Sequence, residues 1–165
     1  LLPASVFGMA AGSSYNKLAQ CTSASARIDT ATLPVFEGSP SRLLYTAYIL
    51  KAKRDCNIDK ISKLVDASVD IDFRAARSDA TAEATYTVPY FVAIATDGRI
   101  LTKRQFAVQV QFAPGQTVTD FSQNVGSLSL TVAKDKKASE YGIIVGFQVT
   151  KAQLDFNRRA GRYAQ

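Results

Sequence analysis

Tyr90-Phe91-Val92-Ala93-Ile94-Ala95-Thr96, then Asp97-Gly98, then Arg99-Ile100-Leu101-Thr102-Lys103-Arg104-Gln105-Phe106-Ala107-Val108-Gln109-Val110-Gln111-Phe112 is the stretch that decides the fold. Two runs rich in β-branched and aromatic residues flank an Asp-Gly pair. Both central residues of a type I′ turn need positive φ, which Asp and Gly adopt at small cost, so the stretch predicts a β-hairpin. Side chains alternate across a strand. Tyr90, Val92, Ile94 and Thr96 therefore share one face, and Phe91, Ala93 and Ala95 the other. In the second run Phe106, Val108, Val110 and Phe112 alternate with Ala107, Gln109 and Gln111, which marks the inward face. The hairpin is expected at the centre of an antiparallel β domain, and it carries no chemistry of its own.

Upstream of it, residues 64–75 alternate strictly from Val65: Val65, Ala67, Val69, Ile71 and Phe73 inward, Asp66, Ser68, Asp70, Asp72 and Arg74 outward. Residues 43–58 read as a strand with Leu44, Thr46, Tyr48, Leu50, Ala52, Arg54 and Cys56 on one side. Tyr45, Ala47 and Ile49 are apolar as well, as in an interior strand covered on both faces. Residues 27–35 contain a short strand that Pro34 confines to a sheet edge, and Pro89 marks a strand start or an edge bulge.

Downstream, Ala113-Pro114-Gly115-Gln116 is a turn, and residues 118–132 alternate with a break in phase near Gly126 that predicts a bend or bulge. Residues 141–149 form a last, interior strand. Thr150 and Gln153 match a capping box, so a helix is expected from there to about Arg159, with Arg158 and Arg159 at its negative end. Short strands with regularly spaced turn signals predict an all-β, antiparallel sandwich, immunoglobulin- or fibronectin-like, with a short C-terminal helix. Residues 1–20 are small, Ser/Ala-rich and nearly uncharged. They are expected to form an extended N-terminal arm or tether before a domain spanning 21–165.

The chain has 165 residues, 47% of them hydrophobic and 21% charged, and no apolar run approaches the roughly 18 residues of a membrane-spanning helix. Its net charge of +6 suits anionic surfaces. Arg99, Lys103 and Arg104, with Arg158, Arg159 and Arg162, are the candidate anionic-surface contacts. No helix-turn-helix, RNP or zinc-finger pattern accompanies them, so nucleic acid is not the expected partner.

Histidine is absent, which excludes Ser-His-Asp and Cys-His nucleophile systems and every His-containing metal site. Ser14-Tyr15-Asn16-Lys17 fits S-x-x-K, but the companion S-D-N and K-T-G elements are missing. Asp66, Asp70 and Asp72 share one outward face, where carboxylates could serve glycosidase chemistry or bind calcium. A solvated face opposite basic neighbours such as Arg74 and Lys103 accounts for them more simply. No catalytic residues, metal or cofactor are expected, and the chain reads as a non-enzyme.

The two cysteines, Cys21 and Cys56, leave alternatives open. Leu18-Ala19-Gln20-Cys21 vaguely fits a lipoprotein box, although Gln20 is not the small residue such a box needs. A Cys21–Cys56 disulfide would close a long loop and stabilise by roughly 3–4 kcal/mol. Two unrelated buried thiols are the remaining reading.

The order Cys21, Cys56, Val88-Pro89-Tyr90-Phe91-Val92-Ala93, Asp97-Gly98-Arg99-Ile100-Leu101-Thr102-Lys103-Arg104, Phe112-Ala113-Pro114-Gly115-Gln116, the run from Tyr141 to Thr150, then Gln153-Leu154 and Asn157-Arg158-Arg159 resembles a family of alphaproteobacterial periplasmic and outer-membrane lipoproteins. These motifs carry no assigned activity. The resemblance implies export to the periplasm, a lipidated cysteine upstream of residue 1 as membrane anchor, and an internal pair formed by Cys21 and Cys56. The expected function is that of a non-catalytic envelope accessory protein docking on another envelope protein or membrane complex. Binding of anionic envelope lipids or glycans is the alternative.

Overall fold

The computed structural model describes residues 23–26, 30–38, 42–59 and 61–160. The strands are β1 (Ser23–Ala26), β2 (Thr32–Phe36), β3 (Leu43–Ile58), β4 (Leu64–Ala76), β5 (Ala84–Thr96), β6 (Arg99–Phe112), β7 (Val118–Thr131) and β8 (Gly142–Phe147), followed by helix α1 (Lys151–Ala160). They form two four-stranded sheets, in the orders β1-β8-β5-β6 and β2-β3-β4-β7. Every pair is antiparallel except β1–β8. The fold is the expected all-β sandwich with a short C-terminal helix. The arm expected over residues 1–20 lies outside the described residues.

The β5–β6 hairpin forms where the Asp-Gly pair predicts it. Asp97 and Gly98 turn with φ of 55° and 72°, the left-handed values a type I′ turn requires. The inward residues Val88, Tyr90, Val92, Ile94, Val110 and Phe112 are all buried. They meet Val65, Ala67, Val69, Ile71 and Phe73 of β4 in one apolar cluster between the sheets. Phe73 is its hub. Its ring stacks on Phe121 at 5.0 Å, meets Tyr90 edge-on at 5.2 Å and lies 5.9 Å from Phe147.

β3 departs from the expected phase. Leu50 is an extra residue between the pairs Ile49–Phe73 and Lys51–Asp72, a bulge that transfers the inward side from odd to even positions. Tyr45, Ala47 and Ile49 point into the core before it, and Ala52, Arg54 and Cys56 are the inward set after it. The single even-numbered face therefore does not exist, because strict period-two reading cannot survive an inserted residue. The expected edge strand begins only at Thr32, and the strand at Ser23–Ala26 was not foreseen. Pro89 lies inside β5 rather than at its start. It is tolerated because β8 pairs with β5 over Tyr90–Ala95, so that among the described residues Pro89 has a strand neighbour on one side alone. The bulge expected near Gly126 is present, with Gly126 and Ser127 lying opposite Ser68 and Ser127 at φ 58°.

α1 covers the free edge of β2. Ala31 directs its carbonyl to Ile49 of β3, so the alternate residues Thr32 and Pro34 direct theirs outward. The Gln153 side chain donates to the Pro34 carbonyl at 2.8 Å, and the fully buried Asn157 amide donates to the Thr32 carbonyl at 2.8 Å. Gln153 also completes the expected capping box. Its backbone N–H donates to Thr150 Oγ1, while its side-chain oxygen accepts from the Thr150 N–H. Phe156 packs edge-on against Phe36 at 5.4 Å.

Tyr45 is buried and stacks on Tyr86 at 4.3 Å, and burial first, then the charge of Tyr86, pushes its hydroxyl up to about 12. The unfolded chain releases this proton near pH 10. Below that pH both states hold the proton, and the contribution to stability is complete. Between about pH 10 and 12 only the unfolded chain ionises, so stability falls as pH rises, by about 2–3 kcal/mol in all. Urea unfolding of the parent and of Tyr45→Phe across this window checks it. The parent should decline more steeply, and parallel curves would contradict the assignment.

Candidate functional site

Three surfaces hold the polar and exposed apolar residues that could meet a partner. The first is the outer face of the β2-β3-β4-β7 sheet. Asp70 and Asp72 of β4 lie opposite Lys53 and Lys51 of β3. On the other side Asn124 donates to Asp70 at 2.6 Å and Ser122 donates to Asp72 at 2.8 Å. Arg74 grips Asp120 with two bonds of 2.7 and 3.0 Å, which raises the guanidinium pKa and lowers that of the carboxyl. The expected basic neighbour Lys103 lies in the other sheet, so Lys51 and Lys53 take its place. These carboxylates form a cross-strand ladder of charge and amide pairs, and among the described residues no group of three His, Cys, Asp or Glu side chains could hold a metal ion.

The second surface is β6. Its residues from Arg99 to Gln105 are exposed in succession, and it stands at the edge of its sheet, laddered to β5. The three basic residues read together in the sequence do not share a face. Lys103 sets its ammonium over the Phe91 ring at 4.5 Å on the outer side of the sheet. Arg104 turns the opposite way, over the Phe106 ring at 5.2 Å, and reaches the Gly126 and Ser127 carbonyls of β7 at 3.3 and 3.4 Å. Arg158 and Arg159 sit in the last turn of α1, which packs on β2 at the edge of the other sheet. Arg162 lies outside the described residues. The candidate anion contacts are thus divided between two edges of the sandwich rather than gathered into one patch.

The third surface is the end where the β3–β4, β5–β6 and β7–β8 connections meet. The Val132 N–H donates to the Lys63 carbonyl at 2.9 Å, and Lys136 pairs with Asp97 of the hairpin turn, which holds that carboxyl low. Asp59 Oδ1 accepts the N–H groups of Ile61 and Ser62 at 2.9 and 3.2 Å, and those bonds hold its carboxyl low. Ile61 is 95% exposed at the tip so formed. The sequence reading missed Ile61. The available signal was one large aliphatic residue alone in a polar turn between two strands.

No family model, no curated protein and no solved structure matches this chain.

Cys56 is buried on the inward side of β3, and no free cysteine occurs among the described residues. Cys21, its expected partner, lies outside them. No helix among the described residues is long and apolar enough to cross a membrane.

Proposed function

We propose that this protein is a non-catalytic accessory component of the cell envelope that docks on another envelope protein or membrane complex. The observation that carries the reading is the edge of β6, which among the described residues pairs with β5 alone. Sheet edges invite pairing by a foreign strand unless they are short, bent or covered. Among the described residues, β1 has four residues, β7 is bent by the Gly126–Ser127 bulge, and β2 is covered by α1. β6 is long, and it pairs with β5 without interruption from Thr102 to Phe112. Its outer side offers backbone donors and acceptors for β-augmentation, with alternate side chains to select the partner. Lys103 and Arg104 on this edge discourage a second copy of the same basic strand.

An exported location fits the cysteine usage. Cys56 is buried, and β1 packs against the strand that bears it, which supports a bond to Cys21. Purification of the tagged native protein from gently solubilised membranes tests the reading. A stoichiometric companion identified by mass spectrometry is expected. A monodisperse monomer that comes away alone would overturn it.

A further inference from the structure

Of the seven large hydrophobic residues exposed among the described residues, Ile61, Leu64, Ile100 and Leu101 belong to one end of the sandwich. Ile61 and Leu64 flank the β3–β4 tip, and Ile100 and Leu101 follow the Asp97-Gly98 turn within three residues. The bonds from Val132 to Lys63 and from Lys136 to Asp97 hold the three connections together. Lys63, Arg99, Lys134 and Lys137 are exposed on the same connections. Acids share these connections: Asp59 accepts from the Ile61 and Ser62 amides, Asp97 pairs with Lys136, and Glu140 accepts from the Lys137 N–H at 2.7 Å. Asp135 of the β7–β8 connection and Asp66, two residues after Leu64, are exposed as well.

From this arrangement we infer that the end of the sandwich carrying Ile61 rests on an anionic lipid surface. Ile61 protrudes from its turn, Leu64, Ile100 and Leu101 stand half-exposed at the adjoining strand ends, and exposed cations share these connections. That combination suits the boundary between head groups and acyl chains, where apolar groups enter shallowly while lysines and arginines meet phosphate. The Asp59 turn, with Lys63 at φ 64°, fixes the Ile61 backbone so that little order is lost on insertion. The inference goes beyond the docking reading and does not use the edge of β6, so either can fail without the other.

The chain contains no tryptophan, so Ile61→Trp supplies a single reporter. Its emission should shift to the blue on vesicles of phosphatidylglycerol in phosphatidylcholine and be quenched by brominated acyl chains. Added salt should weaken the binding, and phosphatidylcholine alone should give no shift. Each lysine near an anionic surface contributes about fivefold in affinity, so Lys63→Ala with Lys137→Ala should lose about thirtyfold. Lys51→Ala with Lys53→Ala, an equal change in charge on the ladder face, should lose less than about threefold. An unshifted emission from the Ile61→Trp variant on the anionic vesicles would overturn the inference. Equal losses from the two lysine pairs would also overturn it, by reducing the effect to net charge.

Discussion

Phe73→Ala is expected to remove about 3–5 kcal/mol from the free energy of unfolding. The ring is fully buried and joins β4 to both sheets: Phe121 is its neighbour within its own sheet, while Tyr90 and Phe147 belong to the opposite one. Truncation loses the burial of the ring and leaves a cavity that β strands held by ladders on both sides cannot collapse to fill. Against a total stability of about 5–15 kcal/mol, the loss is large enough to lower Tm by about 10 °C or more. Urea titration of the parent, Phe73→Ala and Phe73→Leu measures it, with the leucine variant recovering more than half. A loss below about 1 kcal/mol for the alanine variant would place the hub elsewhere.

Arg77→Ala is the second large effect, at the opposite end of the sandwich. Arg77 is buried, with Nε donating to the Gln116 carbonyl at 2.9 Å and a terminal nitrogen to the Ala113 carbonyl at 3.0 Å. Its guanidinium lies 4.6 Å from the centre of the Phe112 ring, and its own N–H reaches the Thr117 carbonyl. One side chain therefore holds the β6–β7 turn onto the end of β4. Its removal leaves two carbonyls without their charged donor and uncovers Phe112, at a cost of about 2–4 kcal/mol. Lysine has no planar fork and should restore less than half of this. Hydrogen exchange gives a local check, because the Gly115 N–H bonded to Ala80 and the Gln116 N–H bonded to Ala113 should exchange faster in the variant. Unchanged exchange at both amides, with parent-like stability, would contradict the assignment.

The architecture was legible where one residue sufficed to set the pattern. Asp97-Gly98 fixes its turn, the strict alternation of residues 65–74 fixes the buried face of β4, and Thr150 with Gln153 fixes the start of α1. Reading failed where a local irregularity or a distant contact decides. Leu50 looks like one more apolar strand residue, and nothing local announces that it is the bulge that turns Cys56 inward. Arg77 reads as an ordinary loop cation, because its two carbonyl partners lie more than thirty positions away. Arg99, Lys103 and Arg104 are close in sequence, yet a strand sends successive residues to opposite faces. Proximity in the chain therefore suggested one patch for cations that the strand divides between its two sides. The exposed end bearing Ile61 emerged only once the sheet order had brought three connections together.

Docking through the edge of β6 is tested most directly by photo-crosslinking in native membranes. A photoreactive amino acid placed at Gln105 or Gln109, both exposed on β6, should yield one discrete adduct with an envelope protein. The same group at Lys53 or Asp70, on the ladder face of the other sheet, should yield none. Adducts confined to the ladder face, or no adduct from either β6 position, would contradict docking through this edge.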